Sequence, residues 1–351
     1  MHPFARRYSP ITSAAKLDEV RQLAVTRTSN NNRPPLSRQA KMDADMPVQE
    51  SAQLPVSHRD FGRVSIYFGE RSGKYPDGNQ ILIRGSEVRT ALDTPLVSNH
   101  IGPAFDDSEM VVLGHVHEDH IAGLHRLPNA PVYAHVLDLP TVRSWDGMLA
   151  AYGDMDPSQA AAMRANFERK FHYTPRPDAI GYEDGALWDL GSNRITAFHL
   201  PGHTAGHCAL LIEPEEVLFI GDIDLTGFGP YYGDACSNLA DFRRSLDAVA
   251  RIPAKVWVTS HHRGIYTDRE QFLHDLAIYT AKLTERESKL LTMLRSGPRT
   301  LSQLVEQRLL YPPGYDAAWV KGAERRTISQ HLAELLADGR LVQHEDRYQL
   351  A

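Results

Sequence analysis

His115-Val-His117-Glu-Asp119-His120 packs three imidazoles and a ligand-type carboxylate into one short stretch. Just ahead of it, Met110-Val-Val-Leu113 is an apolar run of the kind that forms a buried strand. A loop leaving that strand end can aim His115 and His117 the same way while Asp119 and His120 curl back toward them. Imidazole nitrogen and carboxylate oxygen are the ligands that a divalent cation such as zinc takes. One or two histidines would suit a solvated loop; this spacing points to a metal.

Further along, Ile195 to Leu200 is an apolar approach to Pro201-Gly-His203-Thr-Ala-Gly-His207, and Val217-Leu-Phe-Ile220 runs into Gly221-Asp222-Ile-Asp224. A third run, Val256-Trp-Val258, ends in Thr-Ser-His261-His262. Four strand ends, each followed by a metal-type ligand, predict one edge of a sheet that assembles a site from distant sequence. That set and order resemble the metallo-β-lactamase superfamily over about residues 60–265, and Gly202-His203-Thr-Ala-Gly-His207 is most similar to its glyoxalase II-type hydrolases. Thr90-Ala-Leu-Asp93-Thr94 resembles the superfamily's strand that ends in Asp before the metal loop.

The resemblance implies an α/β fold, an αββα sandwich in which two mixed sheets pack face to face under outer helices. It implies that His115, His117 and His203 hold one metal, that Asp119, His120 and either His261 or His262 hold a second, and that Asp222 bridges them. His261 is preferred because the superfamily places its last ligand two or three residues past the strand. Asp222 is preferred to Asp224 because it directly follows the strand and Gly221. His207 reads as a structural group, Cys208 as core, and Glu118 as a solvated side chain. Two divalent ions, zinc ahead of iron or manganese, would share a hydroxide that is nucleophilic at neutral pH, with Asp119 orienting it. The expected reaction is hydrolysis of a small ester, thioester or lactone. After the bridging Asp, Gly227-Phe228-Gly-Pro-Tyr231-Tyr232-Gly offers Phe228, Tyr231 and Tyr232 to line a substrate pocket. No Arg or Lys cluster like the glutathione-binding groups of true glyoxalase II stands in the motif loops.

The 351 residues leave room for a smaller domain beside the large one. Formal charge is −6. Residues 1–58 carry 8 Lys/Arg against 5 Asp/Glu and residues 286–351 carry 10 against 8, so the middle is strongly acidic. That disfavours a polyanionic partner, because phosphate neutralisation is the main source of nucleic-acid affinity. Two cysteines, Cys208 and Cys236, make no disulfide framework and fit a reducing cytoplasm. No apolar stretch approaches a membrane span, and the N-terminus lacks an apolar signal core, so no membrane partner is expected.

Residues 1–57, rich in Ser, Asn, Pro and Arg, read as a disordered leader, with one helix conceivable at 13–25 and with Met42 and Met46 as alternative starts. Residues 58–285 form the expected catalytic domain. Arg63 to Phe68 and Gln80 to Arg84 read as a hairpin around Tyr75-Pro-Asp-Gly78, Ile121 to Leu127 as a short helix, and Pro157 to Phe171 as an outer helix. Asn238 is the expected cap of a helix to Arg251. From about Glu285, short helices at 287–295, 301–310 and 324–338 precede a hairpin at 341–350. Helices followed by a β-wing predict a winged-helix domain over 286–351, similar to one found in β-lactamase-like endoribonucleases. Its modest charge favours packing on the catalytic domain or a homodimer over nucleic acid. A metal-dependent endoribonuclease is the alternative function, although His120 to His203 leaves no room for the β-CASP insertion of the larger nucleases. Persulfide dioxygenases resemble the motif set but use one iron, and a flavodiiron-type enzyme needs a flavin domain not visible here. A relic regulator would have lost some ligand positions, and here all are filled.

Overall fold

Period-two alternation along the strands sorts apolar side chains onto both faces of each sheet, and this decides how the layers stack. The computed structural model describes residues 56–153, 155–315, 317 and 319–351. The expected leader lies outside them apart from Val56 and Ser57. The first sheet runs β1 (His58–Phe61), β2 (Val64–Tyr67), β3 (Gln80–Arg84), β4 (Arg89–Leu92), β5 (Met110–Val112), β6 (Val132–His135) and β7 (Ile180–Tyr182) in sequence order. It is antiparallel through β4 and parallel from β4 to β7. The second sheet has the order β13-β12-β11-β10-β9-β8, made of β8 (Leu187–Asp189), β9 (Arg194–His199), β10 (Cys208–Glu213), β11 (Val217–Phe219), β12 (Val256–Val258) and β13 (Ile265–Tyr266). Only β11 and β12 pair in parallel there.

Val64, Ile66, Ile81, Ile83 and Val112 face Leu210, Ile212, Val217, Phe219, Val256 and Val258 in a core between the sheets. The alternate residues Leu82, Ala91 and Val111 point outward, where α1 (Trp145–Tyr152) and α2 (Pro157–Lys170) cover them with Met148 and Phe167. On the far side, Ala209, Leu218 and Trp257 meet α3 (Leu239–Val249) and α4 (Arg269–Leu294) through Phe242, Leu246, Phe272 and Tyr279. Helix, sheet, sheet, helix is the αββα arrangement. Asn238 caps α3 by accepting from the Asp241 amide at 2.9 Å, and Asp156 caps α2. Among the described residues no helix is long and apolar enough to cross a membrane.

Two local expectations need correction. Residues 121–127 are not a helix but a buried loop with one 3₁₀ turn, Leu124–Arg126. Ile121, Ala122, Leu124 and Leu127 are buried while only His125 and Arg126 reach the surface, and the Gly123 amide is tied across to the Thr94 carbonyl at 2.8 Å, so the backbone pairs with a neighbouring loop instead of with itself. The segment 287–295 is not a separate helix but the end of the 26-residue α4. The division expected at 285/286 falls inside it. Leu276 and Leu283 of α4 belong to the core under the second sheet, whereas Leu290 and Leu294 belong to another core. That last core adds Leu304, Ile328, Leu332, Leu335 and Leu341 from α5 (Leu301–Gln307), α6 (Val320–Ala337) and β15 (Leu341–His344). β14 (Arg299–Thr300), β16 (Arg347–Leu350) and β15 form a third sheet in that order.

Candidate metal centre

The motif loops leave both sheets, not one. β4 and β5 of the first sheet deliver Asp93 and the 115–120 loop; β9, β11 and β12 of the second deliver His203, Asp222 and His261. The expectation of a single sheet edge is corrected accordingly: the site lies where the ends of two stacked sheets meet. Gly202 and Gly221 fit the backbone to this crowding. A Cβ on Gly202, at φ +134, would sit 2.3 Å from the Phe242 Cα, and one on Gly221, at φ +54, would sit 2.4 Å from the His207 ring.

Of three groups of ligand atoms, each drawn together within 4.8 Å, one (Asp93, His115 and His120) overlaps the other two: His115, His117, His203 and Asp222, and Asp119, His120 and His261. Asp222 joins them. Its Oδ2 lies 3.2 Å from His203 Nε2 and 3.9 Å from His115 Nε2, and its Oδ1 lies 3.1 Å from His120 Nε2 and 3.5 Å from His261 Nε2. Asp119 Oδ2 is 3.2 Å from His261 Nε2. All of these side chains except Asp222 are buried to within a few per cent of exposure.

The far nitrogens of the rings fix which lone pairs face inward. His120 Nδ1 meets Asp93 Oδ2 at 2.8 Å, His203 Nδ1 meets the Tyr231 carbonyl at 3.0 Å, and His261 Nδ1 meets the Gly73 and Asp77 carbonyls at 2.9 and 2.8 Å. His117 Nε2 lies 3.2 Å from Asp234 Oδ2, an ion-pair contact without hydrogen-bond alignment. With those nitrogens protonated, His203 Nε2 and His117 Nδ1 confront each other at 3.1 Å as two bare lone pairs. His120 Nε2 and both nitrogens of His115 are buried without a hydrogen-bond partner, as is Asp222 Oδ1. Acceptors turned on acceptors in a dry pocket are repulsive, and a cation is what relieves them. The donor set therefore fits divalent metal.

Electrostatics agree. Burial alone would lower the pKa of His261, but Asp222 and Asp119 outweigh it and push it up to about 10. His120 is likewise depressed by burial yet held well above the ordinary imidazole range by Asp222 and Asp119. Burial raises Asp222, but His261, His120, His115 and His203 draw it well below the usual carboxylate range. The pocket is built for positive charge.

Other residues fall as follows. His262, at φ +59, is in neither group, whereas His261 is. Asp224 is also in neither. His207 accepts from the Asp222 amide at 3.2 Å and reaches the Leu200 carbonyl at 3.1 Å, a structural position. Cys208 is fully buried in β10. Glu118 is not solvated: it is 5% exposed and accepts hydrogen bonds from the hydroxyls of Tyr75, at 3.0 Å, and Tyr152. Tyr232, expected in a substrate pocket, has no exposed surface, and its hydroxyl pairs with His331 Nε2 at 2.8 Å. Core packing and a buried hydrogen bond occupy it. Phe228 is 42% exposed, and Tyr231 lies with its ring 6.0 Å from that of His203. Sequence reasoning missed Asp138, whose carboxylate accepts from the Gly206 amide and Thr204 hydroxyl, both at 2.8 Å, and from the Val116 amide at 3.2 Å, joining two metal loops. It also missed Asp234. Neither sits in a motif, and only the fold brings them near.

Residues 109–262 match the family model described as Metallo-beta-lactamase superfamily. The acyl-coenzyme A thioesterase MBLAC2 of Bos taurus is 25% identical over 191 residues, 49% of this chain and 67% of that protein. The hydroxyacylglutathione hydrolase of Methylococcus capsulatus is 28% identical over 144 residues, 40% of this chain and 54% of that protein, so the chain spans about half of that relative. Among solved structures, a metallo-beta-lactamase family protein from Thermus thermophilus superposes with a TM-score of 0.59 at 25% identity, covering 78% of this chain and 94% of that one. A beta-lactamase domain protein from Burkholderia ambifaria gives 0.61 at 18% identity, covering 86% and 96%, a likeness of fold.

Proposed function

The chain carries a metallo-β-lactamase superfamily domain, and from that premise we propose that it is a two-cation hydrolase, zinc first, acting on a small ester, thioester or lactone. The observation that carries this reading is Asp222, whose two carboxylate oxygens face two separate ligand groups. In this reading His115, His117 and His203 would hold one cation, Asp119, His120 and His261 would hold the other, and Asp222 would serve both. Two cations so held would supply an activated water and a Lewis acid for the scissile carbonyl. In the same reading Asp119, besides its share in holding a cation, orients that activated water. Phe228 and Tyr231, on the loop beyond Asp222, are the proposed contacts of the acyl portion. Thioesters head the substrate classes because the relatives are named for acyl-coenzyme A and hydroxyacylglutathione.

Residues 286–351 are proposed as a winged-helix-like module, since β14, α5, α6 and the β15–β16 hairpin follow one another around a core of their own. It packs on the catalytic part, with Arg243 Nη2 3.1 Å from Glu334 Oε2. The two free thiols suit the cytoplasm.

The test is turnover by the purified full chain on acyl-coenzyme A and hydroxyacylglutathione thioesters, lactones and single-stranded RNA, with and without a chelator. Chelator-sensitive hydrolysis of a thioester or lactone is expected. Cleavage of RNA alone would replace the reading with a nuclease.

A further inference from the structure

Gly227 to Asp234 crosses from the bridging aspartate to α3 outside any helix or strand, yet its backbone is pinned from one side. Arg286 of α4 donates Nη2 to the Phe228 carbonyl at 2.6 Å and Nη1 to the Pro230 carbonyl, with its guanidinium 5.3 Å from the ring centres of Phe228 and Tyr232. Gln330 of α6 donates to the Tyr232 carbonyl at 3.0 Å and accepts from the Leu239 amide at 2.6 Å. Arg326 of α6 donates Nε to the Gly233 carbonyl at 2.5 Å. Three side chains of the C-terminal helices thus hold the carbonyls of Phe228, Pro230, Tyr232 and Gly233. The carbonyl between them, Tyr231, turns the other way and receives His203 Nδ1 at 3.0 Å. The next residue after the pinned stretch, Asp234, lies 3.2 Å from His117 Nε2 and accepts from the Tyr231 hydroxyl at 3.0 Å.

We infer that Arg286, Gln330 and Arg326 are positioning residues for one cation group alone: they brace the loop that orients His117 and His203. The inference rests on the two-cation reading above. Its selectivity comes from geometry. The rings of the other group are oriented elsewhere, His120 by Asp93 and His261 by the carbonyls of Gly73 and Asp77. Lysine cannot replace Arg286, because one ammonium cannot span two carbonyls as the guanidinium fork does. Direct outer partners of metal ligands, here the Tyr231 carbonyl and Asp234, change metal affinity about 10–100-fold when removed, and the three braces act through them.

Full-length Gln330→Ala, Arg326→Ala and Arg286→Lys are compared with the parent by zinc content after dialysis and by competition with a chromophoric chelator, beside thermal melts. The two α6 variants are half-buried positions and keep the test open if Arg286→Lys does not fold. One zinc is expected to weaken about tenfold or more while the other keeps its affinity. Asp93→Asn should weaken one zinc as well, and Gln330→Ala combined with Asp93→Asn should weaken both, because the two changes act on different ions. Both zincs unchanged, both weakened in step with the melting temperature, or a double variant that still holds one zinc at full strength would each overturn the brace. A parent that binds one zinc defeats the two-cation reading, and the brace then stands or falls on whether Gln330→Ala weakens that ion. A parent that binds none defeats both.

Discussion

Asp222 illustrates how much chemistry one side chain carries when its neighbours fix its two oxygens on different partners. The ligand residues around it were legible because a metal loop concentrates rare residue types at short spacing, and because His203 and His261 each follow an apolar strand. The residues that orient them were not legible. Asp138 and Asp234 stand in unremarkable sequence, and Glu118 looked solvated until Tyr75 and Tyr152 closed over it. Gly202 carries a prediction at this scale. Its positive φ and the Phe242 backbone 2.3 Å from any Cβ leave alanine two costs at once, strain and a clash that α3 must yield to. Gly202→Ala should lower stability by roughly 2–3 kcal/mol in denaturant unfolding; a change below about 0.5 kcal/mol would mean that the loop reshapes freely.

At the scale of elements, apolar runs and alternation revealed strands such as β2, β3, β5, β11 and β12, and apolar spacing revealed α3, because each buries one face or both against a neighbour; α1 and the first part of α4 went unread. The length of α4 was hidden. Its two halves serve different cores, so the apolar pattern changes near 285 although the helix continues. The α6 junction makes a pH prediction. Burial, then Arg243 and Arg286, lower the His331 pKa to about 3. An unfolded histidine titrates near 6.5, so between these values the unfolded chain binds a proton that the folded chain refuses. Stability from this group is therefore complete above about pH 6.5 and falls as pH drops toward 3. From pH 7 to 5 the parent should lose up to about 2 kcal/mol more than His331→Gln in denaturant unfolding. Parallel losses in the two proteins would show that His331 is protonated without penalty.

The whole molecule sets two stacked sheets so that their ends close on one buried pocket, and the helices on either face hold the stack. The sequence pointed to one sheet edge because each motif reads as a strand and its loop; which sheet a strand joins depends on pairing with distant segments. In the proposed function this pocket holds two cations through one shared carboxylate. The most direct measurement is divalent metal per chain in the dialysed full-length protein and in Asp222→Asn, by elemental analysis. About two ions in the parent and a loss of both from the variant are expected of a shared carboxylate. One ion or none in the parent, or two retained without the Asp222 carboxylate, would contradict that sharing.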